Sequence, residues 1–162
     1  MSATPAPMCI VLPTDFSDAG EAAEGEAVRL ARALGTEILL VHVASQPASW
    51  PESVYTPQVR AVFADQRTWA ENALAARAAA LAARGVAARA VVADGRPDVE
   101  IVRLAADQHA QMIVMGTQGR TGLDRLLLGS VAERVVRTAP CPVLTVRPAR
   151  DTGSARPAPP AR

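Results

Sequence analysis

MIVMGTQGRTGLDRLLLGS, residues 112–130, sets a short apolar run directly against a glycine-rich segment. Met112–Met115 is continuously apolar, the pattern of a strand buried on both faces of a parallel sheet. The glycine-rich part has glycine at 116, 119, 122 and 129, Arg120 and several hydroxyls, but no lysine, histidine, cysteine or carboxylate pair. Glycine permits positive φ and lets backbone N–H groups approach a ligand with no Cβ in the way. Consecutive inward amides form an anion nest, and a helix opening at Gly129–Ser130 offers unpaired donors and the positive end of a dipole. The stretch therefore reads as strand, backbone-built phosphate loop, helix start. It is not a Walker A loop, because Ser130 stands where the lysine belongs, and it is not G-x-G-x-x-G. A structural alternative stands beside the phosphate reading. Ser130 with Glu133 makes an S-x-x-E capping box that would satisfy the helix end alone, and glycine clusters also make ordinary turns.

Strands and helices alternate along the rest of the chain. MCIVLP (8–13) is a second apolar strand, and Ser17 can cap the helix after it. Ala23, Ala27, Leu30, Ala31 and Leu34 fall on one face of that helix, and Gly35 ends it. EILLVHVA (37–44) is a strand, and QPASWPESVYTP (46–57) is a loop with three prolines. A long helix over 58–84 carries a stripe of Val59, Val62, Phe63, Trp69, Ala70, Ala73, Leu74 and Leu81. VAARAVVA (86–93) is a strand. Gly95–Pro97 starts a helix with Asp98 and Glu100 in its first turn and Ile101, Leu104 and Ala105 facing inward. Past the glycine segment, a helix over 130–138 leads to PVLTVRP (142–148), the last strand. Alternating units of this kind specify a doubly wound α/β sandwich around a parallel sheet. Residues 1–7 and 149–162 are Pro/Ala/Arg-rich flanks without an apolar period, leaving 8–148 as one domain.

Composition narrows the function classes. Of 162 residues 49% are hydrophobic and only 3% aromatic, so the core must be built from Ala, Val, Leu and Ile. A net charge of +1 gives no reason to expect nucleic acid or an acidic membrane as partner. The N-terminus has no basic and apolar leader pattern, and no run approaches a membrane span, which makes the cytoplasm the expected compartment. Cys9 and Cys141 form no C-x-x-C pair. Their apolar strand contexts favour buried, reduced thiols over a disulfide. His42, inside a strand, reads as a satisfied core group rather than a base or ligand, and His109 as a surface or helix-end residue. No cluster has metal-ligand spacing. Asp124 could approach a phosphate-bound Mg²⁺, but a surface pair with Arg125 competes. Nothing resembles a nucleophile with a base and an orienting group.

Ligands of doubly wound sheets bind beyond the C-terminal strand ends, where the winding reverses. PTDFS (13–17) and the segment 116–130 are the polar exits from strand ends, and at the switch point they face one crevice. The spacing Gly116-x2-Gly119-x9-Gly129-Ser130 resembles the nucleotide-binding loop of the universal stress protein family. IVLPTDFS (10–17) is similar to that family's first strand and exit, LLVHV (39–43) to its second strand, and residues 112–148 to its C-terminal signature. The resemblance spans roughly 8–148 as a single copy, with a proline-rich linker and a Pro/Arg tail as departures. It implies a Rossmann-like, adenine nucleotide α-hydrolase-like fold with five parallel strands in the order 3-2-1-4-5.

The complete glycine pattern resembles the ATP-binding branch of the family, so the implied cofactor is ATP, with Mg as an accompanying ion. Carried over by position, Pro13, Thr14 and Asp15 would line the adenosine end. Asp15 would accept from ribose or base, with a helix-entry role beside Ser17 as its alternative. The Val43 backbone would meet adenine, while its side chain is equally a core group. Met115 and Gly116 would lie under the ribose and phosphates. Gly119, Arg120, Gly129, Ser130 and Val131 would wrap the phosphates, Arg120 being as readily a solvated loop residue. The implied function is a regulatory ATP-binding module of the stress response, with little or no hydrolysis and no catalytic residue. Its partners would be regulatory proteins and a second copy of the chain, paired through the edge strand 142–148 across a two-fold axis. A nucleotide-independent interaction protein and a weak ATPase or adenylating enzyme are the alternatives. The sequence has no H-x-G-H and no S-G-G-x-D-S type loop to support the enzyme.

Overall fold

The computed structural model describes residues 8–45, 51–117 and 128–148. Five parallel strands, β1 (Cys9–Pro13), β2 (Glu37–Ala44), β3 (Ala88–Asp94), β4 (Met112–Gly116) and β5 (Val143–Val146), lie in the order β3-β2-β1-β4-β5. Helices α1 (Asp18–Leu34), α2 (Pro57–Ala83), α3 (Pro97–Asp107) and α4 (Ser130–Thr138) cover both faces. This is the expected doubly wound sandwich in the expected order, with the switch point between β1 and β4.

Side-chain alternation along the strands divides the core in two. Cys9, Val11, Leu39, Val41, Ile113 and Met115 turn toward Ile101, Leu104 and Ala105 of α3 and Ala132 and Val135 of α4. Ile10, Leu12, Ile38, Leu40 and Val114 turn the other way, onto Ala23, Ala27, Val28 and Ala31 of α1 and Leu74 and Leu81 of α2. The central strands are buried on both faces over Cys9–Leu12 and Ile38–Val41, as these apolar runs require. Ser17 caps α1, its Oγ accepting from the Gly20 amide at 3.4 Å, and Gly35 ends it in the left-handed conformation at φ 65°.

Four expectations are corrected. Leu34 is 50% exposed, because it occupies the last turn of α1, and Val28 fills the core instead. Val62 and Trp69 are 54% and 53% exposed. The cause is length. The 27 residues of α2 span about 40 Å, whereas the 8 residues of β2 span about 26 Å. The N-terminal half of α2 therefore overhangs the sheet, and only Ala70, Leu74 and Leu81 are fully buried. The third strand begins at Ala88 rather than 86, since the Val86 amide still closes the α2 terminus by donating to the Leu81 carbonyl. Arg89 and Ala90 are exposed, so this edge strand is not covered on both faces. A single 3-10 turn, Glu52–Val54, occupies part of the segment read as loop.

The two thiols remain free. The Gln111 amide donates to the Cys9 carbonyl, and Ile113 pairs with Val143 two residues past Cys141. A strand therefore lies between the cysteines, which separates their Cα atoms by about 9.5 Å, beyond the reach of about 7 Å for a disulfide. Burial pushes both thiols above their ordinary pKa.

Candidate functional site

The crevice begins where β1 ends. The Thr14 amide donates to the Val41 carbonyl at 2.8 Å, which carries the β1–β2 ladder one bond past the strand. The chain then folds on itself. The Phe16 amide donates to Thr14 Oγ1 at 3.0 Å, and Asp15 Oδ1 accepts from the Ser17 amide at 3.1 Å and the Ser17 hydroxyl at 2.5 Å. Asp15 thus performs the helix-entry role that was the alternative to ligand contact, and it also lines the crevice. Thr14 is buried at this turn.

β2 runs beyond its pairing with β1, which ends at Pro13–Val41. Odd-numbered residues of β2 turn their backbone groups toward β1 and even-numbered ones toward β3, as the Thr14–Val41 and Gly95–Ala44 bonds show. The Val43 N–H and C=O therefore point past the end of β1, and neither has a partner among the described residues. The Val43 side chain packs against the α3–α4 cluster.

Across the crevice β4 ends in Gly116 and Thr117. Gly116 does not use a positive φ, which corrects one reason offered for glycine there. The reason is proximity to α1: a Cβ on Gly116 would lie 2.8 Å from the carbonyl carbon, Cβ and oxygen of Ala19. Gly129 likewise has an unexceptional φ of −59°, and its amide is taken by the Thr117 carbonyl at 2.7 Å. That amide is not available to a ligand.

The next three amides are. Gly129, not Ser130, is the N-cap of α4, and no side chain among the described residues caps the helix. The Ser130–Glu133 capping box, the alternative to the phosphate reading, is not formed, and the Glu133 amide makes the first helical bond, to Gly129. The N–H groups of Ser130, Val131 and Ala132 have no acceptor among the described residues. All three residues line the same crevice.

The crevice encloses about 400 Å³, within the range of small-molecule sites. Pro13, Thr14, Asp15, Val43, Met115, Gly116, Gly129, Ser130 and Val131 all border it, so nine of the expected contact residues meet at one place. Gly119, Arg120 and Asp124 lie outside the described residues. Sequence reasoning missed Gly20, His42, Pro97, Ile101 and Thr117 on its wall. Pro97 and Ile101 were legible as the start of α3, yet their place at the crevice depends on sheet order. His42 is satisfied, as expected, by a 2.9 Å bond from Nδ1 to the Thr14 carbonyl. Asp15 is the one formal charge among the described lining residues. Among the described residues, an anion held here would meet backbone dipoles rather than cationic side chains. Among the described residues no group of three His, Cys, Asp or Glu could hold a metal, and no helix is long and apolar enough to cross a membrane.

A doubly wound sheet whose switch point carries a helix start and an open strand backbone defines a Rossmann-like α/β protein. Comparison with known proteins narrows this. The universal stress protein family matches residues 8–147. Universal stress protein MJ0531 of Methanocaldococcus jannaschii is 36% identical over 140 residues, covering 85% of this chain and 81% of that protein. The solved structure of universal stress protein UspA from Lactobacillus plantarum superimposes with a TM-score of 0.79 at 25% identity, covering 89% of this chain and 100% of that one. A universal stress protein from Archaeoglobus fulgidus, solved in complex with dAMP, superimposes with a TM-score of 0.62 at 25% identity, covering 87% and 98%. The chain belongs to the universal stress protein family.

Proposed function

We propose that this protein is a regulatory module that binds ATP, with its accompanying Mg²⁺, in the crevice between β1 and β4 and hydrolyses it slowly or not at all. The observation that carries this reading is the start of α4. Three adjacent amides, Ser130–Ala132, lack acceptors among the described residues at the wall of the cavity into which the Val43 donor–acceptor pair also opens. The amides suit a phosphate, and the Val43 pair suits a base edge with one donor and one acceptor, as adenine has. The dAMP complex of the A. fulgidus relative supports an adenine nucleotide as the ligand class. No nucleophile–base pair among the described residues borders the cavity, which supports a binding rather than a catalytic role. The module acts in the cytoplasm, as a homodimer paired along β5, and changes its contacts with regulatory proteins when ATP binds.

Isothermal titration of the purified, nucleotide-free protein with MgATP tests the reading, together with mass spectrometry of nucleotide released on denaturation. Saturable binding of one ATP per chain is expected. Neither bound nucleotide nor titratable binding would overturn it. Turnover above about 1 per second, ordinary for enzymes, would overturn the non-catalytic part.

A further inference from the structure

The open backbone of Val43 is not a passive result of β1 stopping. Had the parallel ladder run one rung further, the Val43 N–H would donate to the Thr14 carbonyl and the Phe16 N–H would donate to the Val43 carbonyl. Both of those partners are engaged elsewhere. His42 Nδ1 lies 2.9 Å from the Thr14 carbonyl. That oxygen only accepts, so the imidazole proton sits on Nδ1. The Phe16 amide donates to Thr14 Oγ1 at 3.0 Å. Phe16 also stands at φ 63°, a left-handed conformation unusual for a side chain of its size, and this carries the chain away from β2. Its ring is held against the His42 ring at 5.0 Å and, edge-on, the Trp69 ring at 4.8 Å, with the Arg77 guanidinium 5.4 Å from its centre. His42 alternates with Val43 and so takes the α1–α2 side of the sheet, where Phe16 and Leu40 belong to one cluster.

We infer that His42, Thr14 and Phe16 are positioning residues that suppress the last β1–β2 rung and so keep the Val43 peptide groups open to a nucleobase. The inference rests on the nucleotide-binding reading, and it assigns to His42 a role that touches no ligand. The imidazole draws the Thr14 carbonyl to the α1–α2 side, out of line with the Val43 N–H, so its second lone pair does not close the rung. The threonine hydroxyl occupies the Phe16 amide. The clamped phenyl ring holds the left-handed turn.

Amide hydrogen exchange by NMR, paired with ATP titration at pH 8, tests this. In the nucleotide-free wild type the Val43 amide should exchange as an open amide and become protected on adding ATP. His42→Leu frees the Thr14 carbonyl, so the rung closes. Val43 should then gain at least about tenfold protection without nucleotide, and ATP affinity should fall by about tenfold, the scale of one hydrogen bond. Thr14→Val should act in the same direction by freeing the Phe16 amide. His42→Asn, whose side-chain amide can donate near the place of Nδ1, should restore an open Val43 and most of the affinity. A Val43 amide already protected in the nucleotide-free wild type would overturn the inference. So would His42→Leu and Thr14→Val variants that lose thermal stability with Val43 exchange unchanged. If the wild type binds no ATP the functional reading falls, while exchange in the nucleotide-free proteins still decides whether the rung is suppressed.

Discussion

Replacing Gly116 with alanine should destabilise the protein through one contact. Gly116 ends β4 directly beneath the first turn of α1, and an added Cβ would stand 2.8 Å from Ala19 C, Cβ and O. That is roughly 0.7–1.2 Å inside the comfortable carbon–carbon separation of about 3.5–4.0 Å. Two of the three atoms struck are backbone, so no rotamer change relieves the clash, and α1 must shift off the sheet. Overpacking of this kind costs about 1–3 kcal/mol. In a domain of this size that lowers Tm by about 3–10 °C. Gly25 provides a matched control. It is exposed on the same helix, and an added Cβ would meet nothing within 4 Å. Gly25→Ala should therefore raise stability by about 0.5–1 kcal/mol through helix propensity alone. Urea denaturation followed by circular dichroism measures both. Adding Ala19→Gly to Gly116→Ala should recover only part of the loss, since it removes one of the three clashing atoms. A Gly116→Ala protein as stable as wild type would refute the close approach of α1 to β4. Glycine at 116 would then need another explanation.

Three further outcomes are expected. ITP should bind about tenfold or more weakly than ATP, because a carbonyl replaces the adenine amino donor opposite the Val43 C=O; equal affinities would remove Val43 from base recognition. Leu144, exposed on the edge strand β5, should when changed to Asp convert a dimer to a monomer in light scattering, and a wild type already monomeric at micromolar concentration would sink the proposed β5 pairing. Cys9 is fully buried, and burial raises the pKa of both thiols, so at pH 8 a thiol reagent should leave Cys9 unlabelled in the native protein and label both cysteines in guanidinium.

The parts of the fold that were legible are those where one chemical pattern had one structural meaning. The apolar runs at 8–13, 37–44 and 112–115, short and bounded by helix signals, fit buried strands, and Ser17, Gly35 and Pro97 mark helix ends by backbone chemistry. The α2 stripe was less readable. Its spacing predicts a helix but not that the helix outruns the sheet, so Val62 and Trp69 looked like core and are exposed. At the site, residue types pointed to the crevice, yet their roles were partly reversed. Gly116 and Gly129 were read as conformational devices. The first is a packing requirement set by Ala19, far away in the sequence, and the second gives its amide to Thr117. Ser130 matched a capping signature that the structure does not form, because the cap falls one residue earlier. A sequence pattern cannot show which of two adjacent residues lies outside the helix when either could start it.

The small residues of α1 and the openness of the site have a common origin. Ala19, Gly20, Ala23, Ala27 and Ala31 are all buried, so α1 approaches the sheet closely and contributes little side-chain bulk. That approach requires glycine at 116. It also brings Gly20 to the crevice wall, where an added Cβ would stand 3.1 Å from Thr14 Oγ1. The hydroxyl so crowded is the one that takes the Phe16 amide away from Val43. Larger residues on this face would gain apolar burial, about 25 cal/mol for each Å², but would press α1 outward and disturb the turn that shapes the base subsite. Gly20→Ala should on this argument weaken ATP binding more than it weakens the fold, since the atom it meets is a side-chain oxygen that can shift at the expense of its bond to Phe16. A Gly20→Ala variant with unaltered ATP affinity in titration would separate the packing of α1 from the geometry of the site.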